Sequence, residues 1–433
     1  MTPQTNEGLK REIGILDVAT NVVNITIASG IFLLPALIAG ILGNGSFYAY
    51  FLCGFVFLIE ALCYAEMSSR FSTSGGAYTY VEKAFGSYFG FLINTISWFG
   101  AGIFVAAAFV NGIADMLSVP FPIFANTLFR AVFFFFLLIF GTFFNIMGVK
   151  SGMKVVKTLT FIKIIPLIVI IIFGLFYLKI ENLQWEKFPS FEKLGEASLI
   201  LFFAFTGGEM ALNISGEMKN PNRTAPFGLL IGVFTIVVFY CLIQLVSQGV
   251  LGADLVNHKE APLAAVAENI FGKTGASLII FCAILSIFSS FNSIILVFPR
   301  VMFAGANDGT LPKFLSKVHP KYATPHWAII TFSIIAFVVA VSGGFKQLAV
   351  LATASMLLMH LGVIFATIRF RLKEDAENPA KFKIPYGLVI PILAMITILW
   401  FLFQLKTNEI IGISIFIALL SVIYLGKRFA EKS

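Results

Sequence analysis

Twelve stretches of this chain are each apolar for about the length of a membrane-crossing helix, and nothing else in the sequence constrains its fold as tightly. They lie near 15–40, 47–68, 87–114, 124–147, 155–178, 194–217, 226–250, 273–303, 326–343, 347–369, 386–405 and 408–426. A hydrocarbon core is crossed by a helix of about 20 mainly apolar residues. Within it every backbone N–H and C=O has to be paired inside the segment, so such runs are helices. The expected fold is an all-α integral membrane protein of twelve transmembrane helices, one polytopic unit over 1–433. The tightest join falls between the ninth and tenth spans, where only Gly343, Gly344, Phe345 and Lys346 intervene.

Composition agrees with a small solvated surface. Charged residues make up 12% of the chain, about half of the roughly 25% usual in soluble domains. A net charge of +8 raises the question of nucleic acid, but the basic residues form no stripe. They are distributed instead by side. With the N-terminus inside, twenty-one Lys and Arg fall in inner loops, eight in outer loops, and Lys163 lies within a span. This positive-inside bias predicts a multi-pass protein of the cell membrane with both termini cytoplasmic. The polar stretch 1–12 leads into a span that is followed by others, unlike a cleaved signal peptide.

Several function classes find no support. Cys53, Cys63, Cys241 and Cys282 each sit inside an apolar run, without metal or disulfide spacing. His258, His319, His326 and His360 are dispersed and form no zinc motif. Gly272-Lys273-Thr274 has the tail of a Walker A loop, but Ala267 stands where its first glycine belongs. No hydrolase elbow, voltage-sensing helix or selectivity filter is visible, so no enzyme, cofactor, metal or nucleic-acid partner is expected. No required protein partner is evident either; the lipid bilayer is the expected surrounding. A secondary transporter remains.

Such transporters bind substrate near the midplane, where helices are interrupted. The first span carries Ala28-Ser29-Gly30-Ile31-Phe32 and then Pro35; the sixth carries Phe203-Ala204-Phe205-Thr206-Gly207-Gly208-Glu209. Glycines at mid-span weaken a helix. Freed N–H groups at a half-helix start suit a carboxylate, and freed carbonyls at a half-helix end suit an ammonium or a cation. One site of this kind holds a zwitterion such as an α-amino acid; the alternative is that the glycines serve close helix packing. Lys163 lies mid-span in the fifth run, where a charge costs at least about 2.5–3.5 kcal/mol and usually faces the protein interior. Glu60 and Glu209 are the carboxylates read as intramembrane, and Glu60 carries no expectation beyond a buried polar contact.

Four stretches give the sequence a recognisable pattern. They are Ser29-Gly30-Ile31-Phe32 with Pro35; Ala65-Glu66, Ser74-Gly75-Gly76-Ala77-Tyr78-Thr79-Tyr80 and Phe85-Gly86; Phe205-Thr206-Gly207 and Glu209 on to Glu217, Asn220-Pro221, Arg223-Thr224 and Pro226; and Arg300 leading to Asp308-Gly309-Thr310-Leu311-Pro312. In this order the chain resembles amino acid permeases of the amino acid–polyamine–organocation superfamily, over its whole length. The resemblance implies a five-plus-five inverted repeat, helices 1–5 over about 13–180 and helices 6–10 over about 194–370, with two peripheral helices over about 386–426. It implies a substrate carboxylate on the N–H groups of Ser29, Gly30 and Ile31, and an ammonium near the carbonyls of Ile27, Phe203, Ala204 and Thr206. Ala28 stands where many relatives have glycine, which puts a methyl beside the substrate backbone.

Further roles follow from the same resemblance. Phe203 matches an aromatic that closes over the substrate, with Phe205, Thr206, Gly207 and Gly208 around the pocket. Lys163 resembles a lysine that stands in for a sodium ion beside the first helix, bridging the first, fifth and eighth, which implies Na⁺-independent transport. Proton coupling through Lys163 or Glu209 stays open, and Glu209 has the alternative of holding the unwound backbone. Glu66, Glu217, Arg223 and Arg300 read as structural charges or gate pairs at the inner face. The expected activity is secondary transport of small neutral L-amino acids by alternating access, as H⁺ symport or as exchange. A polyamine or cationic amino acid substrate is the alternative; a transporter-like sensor fits poorly with such short polar ends.

Overall fold

The computed structural model describes residues 13–71, 76–147, 153–184, 188–307, 309, 311–373 and 379–430. The polar stretch 1–12, Ser74, Gly75, Lys150, Lys187, Asp308, Thr310 and Lys432 lie outside them. Among the described residues the regular structure is helical, and the one β-type pairing is an isolated bridge between Ile13 and Met218.

The first apolar run is two helices. α1 (Ile15–Thr26) starts where the Gly14 N–H donates to Asp17 at 2.9 Å, and α2 (Ser29–Leu42) follows after Ile27 and Ala28. Gly43, at φ +56, ends α2, a single 3₁₀ turn intervenes, and α3 (Ser46–Arg70) begins. α4 (Gly76–Phe85) and α5 (Ser87–Thr95) lead into a π-helical stretch at Ile96–Phe104 and then α6 (Val105–Ser118). α7 (Thr127–Met147) and α8 (Met153–Tyr177) complete the first half.

The second half opens with α9 (Phe191–Phe205), whose N-terminal Lys193 N–H is accepted by the Ser190 hydroxyl at 3.3 Å. Thr206 and Gly207 interrupt it, and Gly208–Glu217 continues as 3₁₀ helix, so the run 194–217 is not one α-helix. α10 (Pro221–Leu251) follows, with Pro221 in the first turn, where no N–H is needed. α11 (Pro262–Asn307) is bent at Gly272, which adopts φ +72 and separates a short first helix from the long span. α12 (His326–Ser342), α13 (Phe345–Leu372), α14 (Val389–Leu402) and α15 (Thr407–Ala430) complete the order.

Among the described residues, eight segments are long and apolar enough to cross a membrane, and Ile15–Thr26, Phe161–Tyr177, His326–Ser342 and Val389–Leu402 are shorter apolar helices. α7 and α8 present Leu128, Phe136, Phe143, Phe161 and Phe176 outward, the inverse of a soluble surface and a fit to lipid. Polar groups are turned in: Glu60, Glu66, Lys163, Gln244 and His360 are all buried. At one end of the bundle Glu66 of α3 accepts from Arg70, from Arg371 of α13 and from the Ile384 N–H at 3.0 Å. This ties α3, α13 and the segment before α14 together.

Candidate functional site

The two helix breaks face each other. α2 starts at Ser29 behind Ala28, whose φ of −136 and ψ of −139 are not helical and whose side chain cannot cap. The first N–H groups of α2 therefore have no partner within the helix. Gly30 lies inside α2, and its function is approach: a Cβ there would come within 2.5 Å of the Ala204 Cβ of α9. On the other side Gly207 has φ +104, a conformation that disfavours other residues, and this is what turns α9 into the 3₁₀ stretch.

Between the breaks lies a cavity of about 230 Å³, bordered by Ala28, Gly30, Phe203, Ala204, Thr206 and Gly207. Asn24 of α1 and Ser290 and Ser293 of α11 supply further polar edges, and Phe109, Phe298 and Met356 supply apolar wall. Among the described residues no acidic side chain lines it. Ile27, Ser29, Ile31 and Phe205 sit behind the wall; Phe205 packs edge-on against Tyr240 at 4.9 Å between centroids. The ring of Phe203 meets Phe109 at 6.3 Å and Phe345 at 5.8 Å, forming an aromatic plug over one side. Two buried oxygens at the breaks, Asn24 Oδ1 and Ser29 Oγ, have no hydrogen-bond partner among the described residues.

Lys163 of α8 reaches the end of α1. Its Nζ donates to the Asn24 carbonyl at 3.0 Å, the Ile27 carbonyl at 3.3 Å and the Ser290 hydroxyl of α11 at 2.9 Å. An ammonium has three donors, and here each has an oxygen. The charge also faces the C-terminal end of a helix, where the dipole favours it. Ser286 donates to the same Ile27 carbonyl at 3.3 Å. Tyr240 of α10 bridges the two breaks, its hydroxyl 3.0 Å from the carbonyls of both Thr26 and Ala204. The Phe203 carbonyl accepts from the Thr206 hydroxyl at 3.1 Å.

Glu209 does not reach the cavity. It accepts from the Gly207 N–H at 2.9 Å and faces His360 Nε2 of α13 at 3.3 Å, while His360 Nδ1 lies 2.8 Å from Glu60. His360 is a residue that sequence reasoning set aside, because its carboxylate partners are far away in the chain. Tyr240, Ser286 and Ser290 were missed too. Their signal was faint: each is one of several hydroxyls in its apolar run, Tyr240 beside Thr235 and Ser247, and Ser286 and Ser290 beside Ser289 and Ser293. Arg223 lies over the Phe227 ring at 5.9 Å, and the side chain of Glu217 lies outside the described residues.

Comparison with known proteins decides the family. A family model described as "Amino acid permease" matches residues 13–426. The chain belongs to this family. The permease is 31% identical over 414 residues to the serine/threonine exchanger SteT of Bacillus subtilis, covering 90% of each chain. It is 26% identical to the branched-chain amino acid permease BcaP of Bacillus subtilis, over 96% of this chain and 93% of that one. It is also 26% identical to the methylthioribose transporter of the same organism, over 97% and 94%. The permease is thus a multi-pass membrane transporter and not an enzyme, with amino acids as the general substrate class of its relatives.

Proposed function

We propose that the permease is a Na⁺-independent secondary transporter of small neutral L-amino acids, working by alternating access. The observation that carries this reading is the cavity of about 230 Å³ between two helix breaks, polar at its ends and, among the described residues, free of lining carboxylates. A small enclosed space with polar edges and an apolar wall suits a small solute with a neutral side chain, such as serine or threonine. In this reading the substrate carboxylate sits on the N–H groups of Ser29, Gly30 and Ile31 at the start of α2. The ammonium turns to the remaining lone pairs of the Phe203, Ala204 and Thr206 carbonyls. Phe203 is the lid, and its contacts with Phe109 and Phe345 support that role.

Lys163 takes the position a sodium ion would hold. Two carbonyls and a hydroxyl are an oxygen set of the kind an alkali cation takes, and the ammonium already fills it. The same proposal includes twelve spans, with α1 and α2 as one interrupted span, inverted repeats over about 13–180 and 194–370, two peripheral helices and cytoplasmic termini. Exchange is supported by the name of the serine/threonine exchanger among the relatives, and H⁺ symport is its alternative. A second reading, a neutral polar solute other than an amino acid, is favoured by the methylthioribose transporter among the relatives. The absence of an acidic group in the lining, among the described residues, argues against polyamines and cationic amino acids.

The test is uptake of radiolabelled L-threonine and L-alanine into proteoliposomes, empty or preloaded, in Na⁺ or choline. Uptake that is indifferent to Na⁺ and competed by neutral amino acids supports the reading. Strict Na⁺ dependence would sink the role given to Lys163. Competition by a methylthio sugar without competition by any amino acid would move the assignment to the second reading.

A further inference from the structure

Behind the wall of the cavity, three ionisable groups from distant parts of the chain share one buried site. Glu60 of α3, His360 of α13 and Glu209 after the α9 break are 1%, 1% and 6% exposed. His360 uses both ring nitrogens, Nδ1 at 2.8 Å from Glu60 Oε2 and Nε2 at 3.3 Å from Glu209 Oε1. Among the described residues the ion pairs of both carboxylates are with His360 alone. The other titratable groups facing the cluster are neutral ones. Tyr64 of α3 lies edge-on to the imidazole at 5.4 Å, and Cys53 and Cys63 flank Glu60 on its own helix.

We propose that Glu60, His360 and Glu209 form a proton-binding relay, and that its proton occupancy controls the interrupted segment at Gly207. This inference rests on the transport reading above and names the site that couples it to protons. Two carboxylates around one imidazole hold a net buried negative charge even when the ring is an imidazolium. With the ring neutral the two carboxylates would carry two buried charges, and one bound proton leaves a single negative charge, which a buried site favours. Glu60 is the carboxylate better held as the acid, because its Oε1 has no hydrogen-bond partner among the described residues while Glu209 accepts from the Gly207 N–H at 2.9 Å.

The relay step balances. With Glu60 as the acid, its Oε2–H donates to Nδ1 and the Nε2–H donates to the Glu209 carboxylate. Moving one proton from Oε2 to Nδ1 and one from Nε2 to Glu209 Oε1 leaves Glu60 anionic, Glu209 neutral and the imidazole in its other tautomer. Net charge is the same before and after, and the proton has crossed from α3 to the α9 break. The consequence at the cavity is direct. Glu209 Oε2 accepts from the Gly207 N–H at 2.9 Å, and Gly207 lines the cavity. Protonating Glu209 turns a charge-assisted hydrogen bond into a neutral one of about half the strength.

The experiment uses the purified full-length permease in proteoliposomes and two assays of L-threonine flux. Homoexchange at equal pH on both sides reports transport itself; net uptake into empty vesicles under an inward proton gradient reports coupling. With one proton per substrate, a gradient of about one pH unit supports about tenfold accumulation in the wild type. His360→Gln and Glu60→Gln are expected to abolish that accumulation while exchange persists. Exchange also serves as the folding control, and Glu60→Gln, which keeps the His360–Glu209 contact, guards against a His360 variant that fails to fold. Wild-type accumulation that survives in both variants overturns the relay. So does a wild type that exchanges but ignores the gradient, and then the transport reading still stands. A wild type that exchanges no neutral amino acid overturns the transport reading and the relay with it.

Discussion

The ammonium of Lys163 lies 3.0 Å from the backbone carbonyl of Asn24, so a side chain of α8 closes the open end of α1. That end is open because the chain leaves α1 at Ile27 and starts a new helix at Ser29. A break of this kind strands carbonyls in an apolar surrounding, and a cation with three donors is the economical partner for them. The break and the buried lysine are therefore one feature seen from two elements.

Lys163→Ala removes the ammonium donor from the Asn24 carbonyl and leaves the Ile27 carbonyl to the Ser286 hydroxyl. Each charged hydrogen bond is worth about 1.5–3 kcal/mol, so a loss of at least about 2 kcal/mol of stability is expected. A fall in L-threonine uptake of more than about tenfold is expected beside it, since that factor needs only about 1.4 kcal/mol. Thermal melting in detergent and proteoliposome flux read the two effects. Wild-type values for both would remove Lys163 from the site.

Gly30→Ala places a methyl 2.5 Å from the Ala204 Cβ, a distance that forces α2 and α9 apart. Overpacking of this sort costs about 1–3 kcal/mol, and uptake should fall with it because the two breaks no longer face each other at the same spacing. Gly40→Ala is the control, since a Cβ there meets nothing within 4 Å and alanine favours a helix. A Gly30 variant that melts and transports like the Gly40 variant would show that the close approach is not needed.

The two breaks were legible because glycine, serine and a carboxylate are conspicuous inside apolar runs, and Lys163 was legible for the same reason. Their use was less so. Gly30 looks like the residue that weakens the first span, yet the chain breaks two residues earlier and Gly30 serves the contact with Ala204. His360 carries no local sign of its function: Glu60 is 300 residues away, and only the packing of α3 against α13 joins them. Tyr240 reads as one more aromatic in an apolar run until its hydroxyl is found between the Thr26 and Ala204 carbonyls. Periodicity and charge report what an element is; they do not report which element it meets.

Asn24 borders the cavity with a buried side-chain oxygen that has no partner among the described residues. A substrate ammonium or hydroxyl is the group that would satisfy it. Asn24→Ala is expected to raise the KM for L-threonine about fivefold, the equivalent of about 1 kcal/mol for one hydrogen bond, with a smaller effect on the maximal rate. Concentration-dependent uptake separates the two parameters. An unchanged KM would mean that the oxygen does not touch the substrate.

In the Glu66 cluster both carboxylate oxygens have donors, and its prediction concerns stability. Glu66 is buried and accepts from two arginines and the Ile384 N–H, joining α3, α13 and the segment before α14. Glu66→Gln replaces one acceptor oxygen with an NH₂ that faces these donors and leaves Arg371 without a counter-charge. Breaking a buried pair from one side costs about 3–5 kcal/mol. The Glu196–Lys346 pair, at 3.8 Å and half exposed, is the comparison, and Glu196→Gln is expected to change stability by less than about 1 kcal/mol. Melting both variants in one detergent gives the contrast directly. Equal melting temperatures would mean that the three segments are held by apolar packing, and that the ion pair only fills the space between them.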